Sequence, residues 1–208
     1  MDESTFIRMD EMTPPEDITN VHDEPRPNDS KVLDALSENN SIYTFSGIMR
    51  KIGMHQESLS RSLQRLHELD LIEKSQLGYK LSQKGAFLAK EDPKLKISYT
   101  PLLQTYVPSN VHASDIISSM AGRWFKNLRW IGMVQSQPDY ILQWYSEFGS
   151  FDLNLRVTPN YITVESSATS EKDKSDAMIS AYRIMQEVSK LYGSQYGSFT
   201  TNPNNKSN

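Results

Sequence analysis

Five polar residues between positions 56 and 65 have the chemistry and the spacing of a surface that binds nucleic acid. They are Gln56, Ser60, Arg61, Gln64 and Arg65. The leucines of the same segment recur every three or four residues, so one helix places them on the opposite face. These leucines are Leu59, Leu63, Leu66 and Leu69. Amides and guanidinium groups donate to base edges and phosphates, and a helix fits the major groove of duplex DNA.

The position of each side chain on this helix predicts what it contacts. We assign Gln56 and Arg61, near the amino end, to base edges, with Gln64 as a second candidate. Phosphate contacts are expected from Ser60, Arg65, Thr44 and Ser46, the last two at the start of the preceding helix. A following hairpin is expected to contact the backbone or the minor groove. Its candidates are Lys74, Gln76 and Lys80.

The same face has an alternative interpretation as a solvated or protein-binding surface. Arg61 could pair with Glu57, and Arg65 with Glu68, at the three- and four-residue spacings that ion pairs use on helices. Glu57 would also repel a phosphate. Both interpretations stay open on the sequence alone.

Caps, periodicity and turn residues predict the elements that hold this face. Ser30 can cap a first helix, Thr44 can cap a second, and Gly53 allows the sharp turn that follows. Gly78 indicates a hairpin. The other predicted elements are a helix from Gln56 to Leu69, strands at 71–74 and 79–81, and a helix from Ala86 to Lys90.

Two stretches of this region resemble a known family. Residues 48–66 resemble the helix-turn-helix of MarR-type and ArsR-type regulators, and residues 69–85 resemble their wing and the helix after it. The nearest likeness is to archaeal regulators of this type that carry a second α+β domain. The resemblance implies a winged helix over residues 30–92 that binds double-stranded DNA as a transcription regulator. A cytoplasmic location is expected because the sequence shows neither the apolar run of a signal peptide nor one that could span a membrane.

Charge and composition divide the chain into four parts. Residues 1–29 carry a net charge of −7 and four prolines, which predicts a disordered acidic arm. Residues 30–96 carry +3, a modest excess of the sign that phosphate binding requires. Pro93 indicates a linker over residues 91–94, and residues 194–208 are predicted to be a disordered tail.

Residues 97–193 are predicted to form an α+β domain, an antiparallel sheet with two helices on one face. The helices are expected at 113–125 and after Ser170, which with Asp173 resembles a capping box. The predicted strands are 102–107, 130–134, 140–145, 153–157 and 161–165. The fold class is therefore α+β throughout, and this second domain is expected to dimerise, to sense an effector, or both.

Aromatic residues concentrate in the second domain. Four of them could line a pocket for a small effector, and they could equally form a plain core. They are Trp124, Trp130, Tyr140 and Trp144. The run from Arg123 to Trp130 interleaves bases with aromatics, which in another interpretation would stack on single-stranded nucleic acid.

Several classes of chemistry are not expected from this chain. It contains no cysteine, and its four histidines lack the spacing of metal ligands, so no metal or other cofactor is predicted. No phosphate-binding glycine loop, nucleophile elbow or paired carboxylates occur, and we do not expect an enzyme. An apolar run long enough to span a membrane is also missing.

Three functions remain, and one of them is the binding of single-stranded nucleic acid through the run from Arg123 to Trp130. The first is a homodimeric regulator that binds a specific duplex sequence, with two recognition helices about one helical turn apart. The second is a scaffold whose winged helix binds protein in a transcription or replication assembly.

Overall fold

The computed structural model describes residues 25–37, 41–89, 98–109, 111–136 and 138–196. Most of the predicted acidic arm, the predicted linker at 91–94 and the end of the predicted tail lie outside these residues.

The described residues of the amino-terminal half form four helices, a hairpin and one further strand of two residues. Its elements are α1 (Pro27–Leu36), β1 (Ile42–Tyr43), α2 (Phe45–Ile52), α3 (Gln56–Glu68), β2 (Ile72–Ser75), β3 (Gly78–Leu81) and α4 (Gln83–Leu88). The Thr44 hydroxyl accepts a hydrogen bond from the Gly47 N–H at 3.0 Å and caps α2, as predicted. Gly53 ends α2 in the left-handed conformation that glycine adopts without cost.

The ends of α1 and α4 differ from the prediction. α1 begins at Pro27, not after Ser30, because Pro27 occupies the first helical turn and Asp29 accepts from the Arg26 N–H at 3.3 Å. α4 begins at Gln83, capped by the Ser82 hydroxyl, and ends at Leu88. Residues 25–29 therefore belong to the folded part of the chain.

The carboxy-terminal half consists of five strands and two helices. Its elements are β4 (Thr100–Tyr106), α5 (Ala113–Met120), β5 (Leu128–Ser136), β6 (Asp139–Ser146), β7 (Asp152–Val157), β8 (Tyr161–Ser166) and α6 (Glu171–Tyr196). α5 ends before Trp124, because Ala121 is extended and Gly122 has a φ of +76°. Ser170 caps α6 by accepting from the Asp173 N–H at 3.1 Å, and α6 continues to Tyr196, into the predicted tail.

All strands of the described residues form one antiparallel sheet in the order β2-β3-β1-β5-β6-β7-β8-β4. α5 and α6 pack on one face, through Ile116 and Met120 and through a stripe of α6 that includes Ala177 and Ile184. On the other face, Ile131 and Val134 of β5 join the core of the amino-terminal helices. The α+β class is confirmed, and the two halves share a sheet that the sequence did not predict.

β1 connects these halves although it has only two residues. Tyr43 pairs with Tyr79 of β3 on one side and with Gly132 of β5 on the other. A Cβ on Gly132 would lie 2.1 Å from the Ile42 carbonyl oxygen, and one on Gly78 would lie 2.2 Å from the Tyr43 carbonyl oxygen. Both positions therefore require glycine for the close approach of the backbones.

We predict that Gly132→Ala lowers the free energy of unfolding by about 3 kcal/mol or more, because the new methyl group overlaps β1. Gly53→Ala is the matched control, since nothing lies within 4 Å of its Cβ position and only the left-handed backbone is strained. That control should cost about 1 kcal/mol. Urea unfolding of both variants measures the difference, and equal losses would contradict the close packing of β1 against β5.

Candidate nucleic-acid interface

α3 presents to solvent the polar face that the sequence predicted. Its buried side consists of Leu59, Ser62, Leu63 and Leu66. The exposed residues are Gln56, Glu57, Ser60, Arg61, Gln64, His67 and Glu68. Apolar packing against α1 and the hairpin thus fixes the rotation of α3 about its axis and sets which side chains face outward.

Two pairs of side chains occupy the outer ridge of α3. Arg61 forms an ion pair with Glu57, and both side chains are well exposed. Gln64 Nε2 donates to Glu68 Oε1 at 3.0 Å. Exposed pairs at this spacing contribute about 0.2–0.5 kcal/mol, so Arg61 and Gln64 can exchange these partners for others at little cost.

Arg65 has a different environment from the rest of the face. Its Nε donates to Asp29 Oδ2 at 3.1 Å and its Nη2 to Asp29 Oδ1 at 2.6 Å, a two-pronged pair that joins α3 to α1. Only 3% of the Asp29 side chain is exposed. We therefore reassign Arg65 from a phosphate contact to a residue that positions α3, and the pair Arg65–Glu68 considered above gives way to Arg65–Asp29.

The pKa of Asp29 reflects this pairing. Burial alone raises the pKa, but the hydrogen bonds from Arg65 and Ser62 and the positive charge of Arg65 outweigh it and hold the pKa below its ordinary value. Asp29 was missed in the sequence because it ends a stretch of acidic residues that has no apolar periodicity.

The two hydroxyls at the start of α2 differ in availability. Thr44 Oγ1 donates to the Ile131 carbonyl oxygen at 3.0 Å while it caps α2, so it ties the helix to β5 and is not free for a phosphate. Ser46 is exposed in the first turn of α2. The phosphate contact of Ser46 stays a prediction, whereas Thr44 is engaged within the protein and positions α2.

The hairpin of β2 and β3 carries the predicted wing residues. Lys74 and Gln76 are exposed, and the Lys74 ammonium lies 5.8 Å from the centre of the Tyr79 ring. Lys80 pairs with Glu73 of the facing strand at 2.8 Å. A groove of about 440 Å³ separates this hairpin from α3, and Lys74, Ser60 and Gln64 are among its lining residues.

The four aromatic residues predicted as an effector pocket have different surroundings in the structure. Trp130 and Trp144 are buried core residues with ring centres 5.3 Å apart, and Trp144 Nε1 donates to the Arg123 carbonyl oxygen. Trp124 is 67% exposed and lies beside the Arg129 guanidinium. Tyr140 is half-buried and accepts from Gln135. The plain-core interpretation applies to Trp130 and Trp144.

The described residues lack two further features, a cluster of metal ligands and a membrane-spanning helix. Within them, no three histidine or acidic side chains gather as they do around a metal ion. None of their helices combines the length and the apolar character that crossing a membrane requires.

Comparison with known proteins identifies the amino-terminal half. Residues 26–74 match the family model described as bacterial regulatory protein, arsR family. This segment is similar to the winged helix-turn-helix of ArsR-type regulators. The match spans α1 to β2 and so includes α3, which indicates DNA-binding transcription regulation. No curated protein and no solved structure matches the chain.

We predict that Asp29→Asn lowers the free energy of unfolding at pH 7 by about 2 kcal/mol, because it leaves the partly buried Arg65 without its counter-charge. The control Glu57→Gln removes an exposed carboxylate paired with an arginine of the same helix and should cost less than about 0.5 kcal/mol.

The same pair predicts a pH dependence with a defined sign. A carboxylate whose pKa is lowered by folding stabilises the protein above its unfolded pKa, near the ordinary value of 3.8, and this stability is lost as the pH falls through the folded value. The difference in the free energy of unfolding between the original protein and Asp29→Asn should thus be constant from pH 7 to about 5 and shrink below about 4. Thermal unfolding across this range measures it, and a gap that widens in acid would contradict the pairing.

Proposed function

We propose that this protein is a transcription regulator that binds a specific sequence of double-stranded DNA as a homodimer, and that it acts by binding and not by catalysis. The observation that carries the proposal is the exposed polar ridge of α3 in an ArsR-type winged helix. Arg61 and Gln64 lie on this ridge in weak, exposed pairs and can turn to base edges.

The surroundings of α3 support insertion into the major groove. Ser60 and Lys74 line the groove between α3 and the hairpin, and Gln56 and Ser46 are exposed in the first turns of α3 and α2. In the proposed complex, Ser46, Ser60 and Lys74 contact phosphates. In the proposed complex the bases are read by Gln56, Arg61 and Gln64. Lys74 and Gln76 of the wing contact the backbone or the minor groove.

The outer face of α6 supports a homodimer. Met178, Ile179 and Tyr182 are 43%, 53% and 61% exposed, although α6 already buries its opposite face in the core. The residues that continue this ridge, Ser175, Gln186 and Ser189, are exposed and uncharged. Apolar side chains with few charges among them are typical of the centre of a protein interface, and a second copy of α6 is the proposed partner.

The binding of a small-molecule effector stays a prediction. A cleft elsewhere than at the four aromatic residues supports it. A cleft of about 350 Å³ lies between α2 and the sheet, and Arg50, Gln143 and Asn154 are among its lining residues. A molecule bound there would contact both α2 and strands β6 and β7. It would therefore act on the part of the winged helix that precedes α3.

The second candidate function is a scaffold, and the pairing on α3 is the observation that favours it. Each of the two donor side chains on the ridge has an acidic partner: Arg61 pairs with Glu57, and Gln64 with Glu68. Such a balance is typical of a surface that faces protein or water. Salt distinguishes the two functions, because only a DNA-binding protein loses affinity for duplex steeply as salt rises.

We predict that Arg61→Ala weakens binding to the preferred duplex about 5- to 150-fold, which corresponds to about 1–3 kcal/mol for a lost base contact. The duplex is selected from a random-sequence pool, and affinity is measured by fluorescence anisotropy. Lys31→Ala, which removes an exposed charge from α1, is the control and should bind as the original protein does. Selection of no duplex near 50 mM salt would favour the scaffold instead.

We also predict that Ile179→Glu shifts the protein to a monomer at tens of micromolar, because it places a charge at the centre of the proposed interface. Sedimentation equilibrium measures the mass. Gln83→Glu adds the same charge at an exposed position of α4 and should leave the dimer intact. A monomeric original protein, or a dimer that Ile179→Glu does not weaken, would count against α6 as the interface.

A further inference from the structure

A groove of about 360 Å³ lies between the start of α1 and α3, on the side of α3 away from the wing. Arg26, Arg61 and Arg65 line it, together with Pro27, Asn28 and Ser58. Three guanidinium groups around one groove are the chemistry of an anion site, since each guanidinium presents a planar fork of donors that matches a phosphate or a carboxylate.

The three arginines differ in how far they are neutralised within the protein. Arg65 is paired with the buried Asp29, and Arg61 is paired with the exposed Glu57. Arg26 is exposed, and its guanidinium has no partner among the residues that the structure describes. Counting only the described residues, the groove keeps one unpaired positive charge at Arg26 and a second, at Arg61, that is held by a weak pair.

Asp29 also determines where Arg26 lies. Its Oδ2 accepts from the Arg26 N–H at 3.3 Å and from Arg65 Nε at 3.1 Å, so one buried carboxylate fixes both the residue before α1 and the flank of α3. The position of Arg26 relative to α3 is thus set by the fold, although its side chain is exposed.

The groove beside α1 and the wing lie on opposite flanks of α3, and a DNA duplex has one strand on each side of its major groove. Ser58, Arg61 and Arg65 lie on the flank of α3 that faces α1. Ser60 and Gln64 line the other groove, which lies between α3 and the hairpin. A helix in the major groove, which is about 12 Å wide, has one phosphate backbone on each side. The wing side then faces one strand, and the groove beside α1 faces the other.

We propose that this groove binds a backbone phosphate of duplex DNA, with Arg26 as its main ligand and Arg61 at its border with the bases. The inference rests on the proposed function and adds a contact that the sequence did not indicate, since Arg26 lies in the predicted acidic arm. A phosphodiester is favoured over an acidic peptide because the groove directly adjoins the ridge of α3 that would read the bases.

The test compares the salt dependence of duplex binding for three variants. Arg26→Ala should bind about tenfold more weakly near 50 mM salt, and the slope of log Kobs against log salt should fall by about 0.9, the value for one phosphate contact. Arg26→Lys keeps the charge and should restore the slope. Lys31→Ala removes an exposed charge of α1 outside the groove and should change neither quantity.

The measurement uses the full chain and a mixed-sequence 24-base-pair duplex between 20 and 200 mM KCl, with thermal unfolding as a check that each variant folds. An original protein that binds no duplex overturns the proposed function and this inference with it. If the original protein binds the duplex and Arg26→Ala shows the same slope of log Kobs against log salt, this inference is overturned and the proposed function is not. The inference also fails if Arg26→Ala weakens binding to a polyglutamate peptide and not to the duplex.

Discussion

The structure depends on the hydrogen bonds of β1, a strand of two residues that is paired along both edges. One edge holds the wing through Tyr43 and Tyr79, and the other edge holds β5 through Tyr43 and Gly132. The Thr44 N–H donates to the Ile131 carbonyl oxygen at 2.8 Å directly after β1, so α2 begins at a position that β5 determines. A winged helix attached in this way moves with the carboxy-terminal sheet, because a shift in β5 displaces both the wing and the start of α2.

α3 is held by contacts of two kinds that respond differently to a ligand. Its leucines bury apolar surface against α1 and the hairpin, and the Asp29–Arg65 pair links it to α1 in a partly buried, two-pronged geometry. The pairs of Arg61 and Gln64 are exposed and weak. DNA that displaced the exposed partners would leave the packing of α3 unchanged. The helix is therefore rigid as a body while its outer side chains are free to rearrange.

Local signals predicted the helices well, and contacts between distant residues account for what was missed. The leucine ladder and the caps at Thr44 and Ser170 depend on neighbours in the chain, and they predicted α2, α3 and α6. β1 has too few residues to show a period, so its pairing to β5 left no pattern. Asp29 looked like one more acid of the arm, because only the fold brings Arg65 to it. Trp124 lay within the helix predicted over 113–125, but α5 ends at Met120 and Gly122 turns the chain before Trp124.

The acids on α3 bear on how the proposed complex forms. Glu57 and Glu68 lie on the outer ridge with Arg61 and Gln64, and a phosphate near either carboxylate would be repelled. A carboxylate can instead accept a hydrogen bond from the amino group of cytosine in the major groove. The ridge is thus unfavourable for contact with the DNA backbone, and it is compatible with contact to base edges. It follows that attraction to phosphate has to come from the flanks of α3, where Lys74 and Arg26 lie, while the centre of the helix discriminates among sequences by repulsion as well as by attraction.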